Sequence, residues 1–81
     1  MNLDYVGVGI AGCGDLTQRA ILPHLAEPDV CKKVRVAAVF DVDVSRAEAA
    51  SKSFQVPQVA ASYAELLELP AVDMVIVASP I

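Results

Sequence analysis

The 81-residue sequence predicts an α/β fold built on a doubly wound parallel sheet. Three observations predict it. Short apolar runs of strand length alternate with amphipathic stretches of helix length along the chain. Helix-start signals and prolines fall at the junctions between them. The apolar fraction is 56%, above the roughly 45–50% usual for soluble proteins, as expected where helices cover both faces of a sheet.

Tyr5–Ala11 (YVGVGIA) is the first apolar run, long enough for a strand and too short for a helix. From Asp15 to Ala26 the apolar residues Leu16, Ala20, Ile21 and Leu25 make a helical stripe. Pro23 lacks an N–H and should tighten or kink that helix near its end. Val34–Phe40 (VRVAAVF) is rich in β-branched residues and predicts the second strand. The next helix, Val44–Phe54, has Asp43 as its N-cap and the capping-box spacing Ser45…Glu48. Pro57 cannot continue it. Gln58–Ala60 predicts a short third strand. Ser62…Glu65 repeats the capping-box spacing and opens a helix to about Leu69. Pro70 and Asp73 mark a turn, and Met74–Ala78 (MVIVA) predicts the fourth strand.

The order β-α-β-α-β-α-β implies parallel strands joined by right-handed crossovers. Doubly wound sheets normally go on to further strands. Residues 1–81 are therefore expected to be the N-terminal part of a larger domain, followed by a substrate-binding domain.

Six Lys and Arg stand against ten Asp and Glu, a net charge of −4. The cluster Lys32, Lys33 and Arg35 is too small for a basic face, so nucleic acid is not an expected partner. No apolar run approaches the roughly 18 residues of a membrane span, and MNLDYVGVG lacks the pattern of a secretory signal. Cys13 and Cys31 follow no metal-ligand spacing and read as reduced thiols of a cytoplasmic protein.

The stretch GVGIAGCGDLT offers two registers for a phosphate-binding turn. The fingerprint G-x-G-x-x-G falls on Gly7, Gly9 and Gly12. That register puts polar Asn2 and Asp4 in the preceding strand and Gly12 and Gly14 inside the following helix, where each costs about 1 kcal/mol relative to alanine. In the alternative, Tyr5–Ala11 is the strand, Gly12-Cys13-Gly14 is the turn and Thr17 replaces the third glycine. Gly12 then permits the tight turn and Gly14 the close approach of a diphosphate. Thr17 sits where helix and strand pack, and N–H groups at the helix start favour the anion. This register is preferred and leaves Gly7 and Gly9 as strand residues. Asp15, in the first helical turn, is expected to face solvent.

Asp41 directly follows the second strand, 24 residues past Thr17. An acid at that point can accept hydrogen bonds from the adenosine ribose. A 2′-phosphate about 4 Å away would be opposed by on the order of 4 kcal/mol at an effective dielectric near 20. Arg46 lies a helical turn further on, so NAD is favoured over NADP.

Glycine turn, helix, strand and terminal acid together define a Rossmann-type unit. The stretches VGVGIAGCGDLTQRAILPHL, VRVAAVFDVDVSRAEAASKSF and SYAELLELPAVDMVIVASPI resemble the N-terminal domain of the glucose–fructose oxidoreductase/inositol dehydrogenase (Gfo/Idh/MocA) family. The resemblance implies that Gly12, Cys13, Gly14, Asp15 and Leu16 line the diphosphate loop. It also implies that Asp41 binds the ribose and that Ser79 and Pro80 contact the cofactor toward the nicotinamide. Ile81 stands where the family commonly has a polar residue. The implied activity is hydride transfer between nicotinamide and a sugar, inositol or related polyol or carbonyl compound, by a protein that is homo-oligomeric when complete. The family's proton-transfer lysine and histidine have no counterpart here, so no catalytic residue is assigned.

His24, late in the first helix, reads as a surface or helix-end residue. Tyr5, Tyr63 and Met74 read as packing residues, with Met74 in the core. Glu65 and Glu68 should face water and do not suggest a metal site. A non-catalytic dinucleotide sensor is the alternative, since fold does not fix function. A methyltransferase fits less well, because Ile10 and Leu16 occupy places where that class wants an acid and a glycine.

Overall fold

A computed structural model of the chain describes residues 5–14 and 17–78. Asp15, Leu16, Ser79 and Pro80, four of the expected cofactor contacts, lie outside the described residues. Strands β1 (Val6–Ala11), β2 (Val34–Phe40), β3 (Gln58–Val59) and β4 (Met74–Val77) form one parallel sheet in the order β3-β2-β1-β4. Successive crossovers thus run outward from β1 to β3 and then back across to β4. The reversal at β1 brings the C-terminal ends of β1, β2 and β4 together, where open α/β sheets bind ligands.

The segment between β1 and β2 departs from the continuous helix expected over 15–26. Thr17–Ile21 is π-helical, α1 (Leu22–Leu25) is one α-turn, and a separate α2 (Pro28–Cys31) follows. Pro23 accounts for the widened turn. It supplies no N–H to the Arg19 carbonyl, and its ring crowds that oxygen. Pro28, in the first turn of α2, suits a position whose N–H would lack a helical partner anyway.

Helix α3 (Val44–Phe54) has the expected bounds, and the Asp43 side chain accepts the Ser45 N–H at 3.0 Å. Its cap is therefore Asp43, and the spacing Ser45…Glu48 lies inside the helix without capping it. In α4 (Tyr63–Glu68) the expected spacing is used: Ser62 Oγ accepts the Glu65 N–H at 3.0 Å. Both helices are positioned by short polar side chains that satisfy first-turn amides.

The core has two layers. On one face Val8, Ile10, Leu22, Val39, Ala47, Ala50 and Val56 pack together, with Ile21, Leu25, Phe54 and Ile76 around them. On the other, Leu66 of α4 packs with Ala11, Ala38 and Ala60. Met74 corrects the expectation that it is core, since it is 49% exposed. It opens β4, which pairs only with β1 among the described residues.

Candidate functional site

Gly7 and Gly9 are strand residues with packing roles. A Cβ on Gly7 would collide with the Ala71 carbonyl oxygen, and one on Gly9 would crowd Leu66 and Val72. Asp73 holds Gly7 from both sides, taking its N–H on Oδ2 at 2.8 Å and donating its own N–H to the Gly7 carbonyl at 2.7 Å. These glycines let α4 and the approach to β4 lie close against β1.

Gly12 and Gly14 are different. Gly12 has φ 108°, a conformation that side chains rarely adopt, and it turns the chain out of β1. Among the described residues, a Cβ on Gly14 would meet nothing within 4 Å. The turn thus leaves open space at the glycine expected to face a diphosphate, which is the fit such a group requires. Thr17 is 1% exposed, and its hydroxyl donates to the Gly12 carbonyl. It ties the start of the helical segment back to the turn.

The structure brings Asp41 to this turn. Its Oδ2 accepts the Cys13 N–H at 2.7 Å, and Oδ1 accepts the Asp43 N–H at 2.8 Å. Each carboxylate oxygen keeps further acceptor capacity for a ribose hydroxyl. The Cys13 amide is consequently committed to Asp41 instead of being open to phosphate. Gln18, which the sequence reading did not single out, donates its side-chain amide to the Cys13 carbonyl at 2.7 Å. Its only signal in the sequence was its place one residue beyond Thr17.

The Cys13 thiol is fully buried and lies 3.6 Å from the Phe40 carbonyl. Burial, with the Asp41 carboxylate adding to it, pushes its pKa up to about 11. It is a protonated, inert side chain at neutral pH, and its part in the turn is played by its backbone. Arg46 Nε lies 3.7 Å from Asp43 Oδ2 on the surface. His24, Glu65 and Glu68 are exposed, and Tyr5 is half-buried under the Arg35 guanidinium, 4.4 Å from the ring centroid. Among the described residues, no cluster of His, Cys, Asp and Glu could hold a metal ion. No described helix is long and apolar enough to cross a membrane.

A hollow of about 740 Å³ opens at the opposite, N-terminal end of the strands, lined by residues such as Leu22, Leu25, Arg35, Phe54 and Pro57. It lies away from Gly12 and Asp41. The switch point in strand order, not this hollow, is where the turn and the acid converge.

The parallel order β3-β2-β1-β4 with a glycine turn after β1 defines a dinucleotide-binding domain of the Rossmann class. The profile of the Gfo/Idh/MocA oxidoreductase family, NAD-binding Rossmann fold, matches residues 6–81, and the chain belongs to that family. An oxidoreductase from Thermotoga maritima is 35% identical over 88% of this chain, with a TM-score of 0.78. Myo-inositol dehydrogenase from Lactobacillus casei, solved with NAD(H) and myo-inositol, is 32% identical over 93%, with a TM-score of 0.75. A 3-ketoreductase from Actinomadura kijaniata, solved with NADP and TDP-benzene, is 32% identical over 88%, also at 0.75. The chain spans only 21%, 22% and 21% of those proteins, respectively. No curated protein matches it at a significant level.

Proposed function

We propose that the chain is the cofactor-binding portion of an NAD-dependent oxidoreductase acting on a sugar, inositol or related polyol or carbonyl compound. The observation that carries this reading is the convergence of the Gly12–Gly14 turn and the Asp41 carboxylate, joined at 2.7 Å through the Cys13 N–H. Bound NAD would supply the hydride chemistry, and this portion would bind and orient it. Gly12, Gly14, Asp15 and Leu16 would line the diphosphate, with Cys13 tying that turn to Asp41 through its N–H; Asp41 would hold the adenosine ribose, and Ser79 and Pro80 would border the nicotinamide side. Proton transfer and substrate binding belong to other parts of a longer polypeptide, expected to be cytoplasmic and homo-oligomeric.

NAD is preferred to NADP on electrostatic grounds. The Asp41 carboxylate would stand beside the ribose, and Arg46, the nearest cation in sequence, is spent on Asp43. The family relatives solved with NADP or with NAD(H) make the choice a property of local residues. In the intact protein, Asp41→Ala should weaken NAD binding at least about tenfold, since hydrogen bonds to a charged group are each worth about 1.5–3 kcal/mol. It should also narrow the preference for NAD over NADP. Steady-state kinetics with unchanged KM for both cofactors would remove Asp41 from the ribose site.

A further inference from the structure

The turn Gly12–Gly14 is held by an unusual division of labour among its neighbours. The Gly12 N–H donates to the Phe40 carbonyl at 2.7 Å, and the Gly14 carbonyl accepts the Gln18 N–H at 3.0 Å. Between these ends lie two peptide units. In the unit joining Gly12 to Cys13, the carbonyl accepts from the Thr17 hydroxyl and the N–H donates to Asp41. The unit is stretched between a donor on one side and a carboxylate on the other.

The unit joining Cys13 to Gly14 is held on one side only. Its carbonyl accepts from Gln18 Nε2 at 2.7 Å, and among the described residues its N–H, that of Gly14, takes no partner. The peptide is trans, so its carbonyl and N–H point in opposite directions. Fixing the carbonyl with Gln18 therefore fixes the direction of the Gly14 N–H. That N–H belongs to the glycine beside which a Cβ would find open space. Donation to the carbonyl also polarises the peptide and strengthens its N–H as a donor. By its place in the sequence of contacts, an anion would complete this unit as Asp41 completes the one before it.

We infer that Gln18 is a positioning residue for the diphosphate of the dinucleotide, holding the Cys13–Gly14 peptide so that the Gly14 N–H is presented to the ligand. The inference rests on the cofactor reading above and adds to it a residue that does not touch the ligand. Gln18→Met preserves side-chain length and removes the donor. Loss of one hydrogen bond of about 1–1.5 kcal/mol corresponds to roughly five- to tenfold in affinity.

The test uses the intact protein, with calorimetric titration of NAD and ADP and ligand-observed NMR titration of adenosine. Gln18→Met should weaken NAD and ADP five- to tenfold and leave adenosine, which has a ribose but no phosphate, unchanged. Gln18→Asn, too short to reach the Cys13 carbonyl, should give the same split and serves if the methionine variant folds poorly. Equal binding of NAD and ADP by wild type and both variants would overturn the inference and leave the cofactor reading standing. Equal weakening of all three ligands would also overturn it, because a merely structural role would not separate phosphate from nucleoside. Wild-type protein that binds neither NAD nor ADP would overturn the cofactor reading, and this inference with it.

Discussion

A methyl group added at Gly7 would strike the Ala71 carbonyl oxygen, whereas the same methyl at Gly14 would meet nothing within 4 Å among the described residues. The two glycines therefore predict opposite phenotypes. Gly7→Ala should destabilise the intact protein by about 1–3 kcal/mol, the usual range for overpacking. Gly14→Ala should leave stability unchanged or raise it by up to about 1 kcal/mol, because alanine restricts the unfolded chain. It should nevertheless weaken NAD binding, as its methyl enters the space a diphosphate would use. Scanning calorimetry with a cofactor titration checks both, and stable Gly7→Ala protein with lost binding would reverse the register. The end of β1 before Gly12 is legible at this scale, from polar residues before Gly7 and the penalty of glycines inside a helix. The grip of Asp41 on Cys13 is not, because nothing in local spacing says that residues 13 and 41 meet.

Helices read most clearly where short polar side chains cap them. Asp43 and Ser62 each accept a first-turn amide at 3.0 Å, and α3 and α4 begin where those residues predict. Removing the cap with Asp43→Ala should cost about 1 kcal/mol. The exposed Asp43–Arg46 pair contributes little of this, so Arg46→Ala should shift the urea midpoint far less than Asp43→Ala does. Equal shifts would transfer the effect from the cap to the ion pair. The segment 17–31 is less legible. An apolar stripe records which face is buried, and it is insensitive to a widened turn at Pro23 or a break before Pro28. Those features depend on backbone hydrogen bonds that proline withholds.

At the scale of the whole molecule, the sheet presents β4 along one edge. Met74 is 49% exposed and Val77 63%, and β4 pairs with β1 alone among the described residues. An unpaired apolar edge is a template for another strand. The 81-residue chain expressed by itself should therefore self-associate as its concentration rises, and Val77→Lys should suppress this. Sedimentation velocity measures both, and a wild-type chain that stays monomeric throughout would refute the expectation. The sequence points to a core Met74 because an apolar residue in a strand is normally covered, and periodicity does not tell a central strand from an edge strand.

The alternation of strands and helices, the capped starts of α3 and α4, and the turn that follows β1 are all written in the amino-acid order. Each depends on residues within a few positions of one another, through period, propensity and capping. Three relations come from folding alone: Asp41 closes on the Cys13 amide, Gly7 makes room for the Ala71 carbonyl, and Gln18 holds the Cys13 carbonyl. The first two join strand ends far apart in the chain, and the third depends on the direction of a peptide plane. Such relations exist only once the crossovers have folded and the turn has closed.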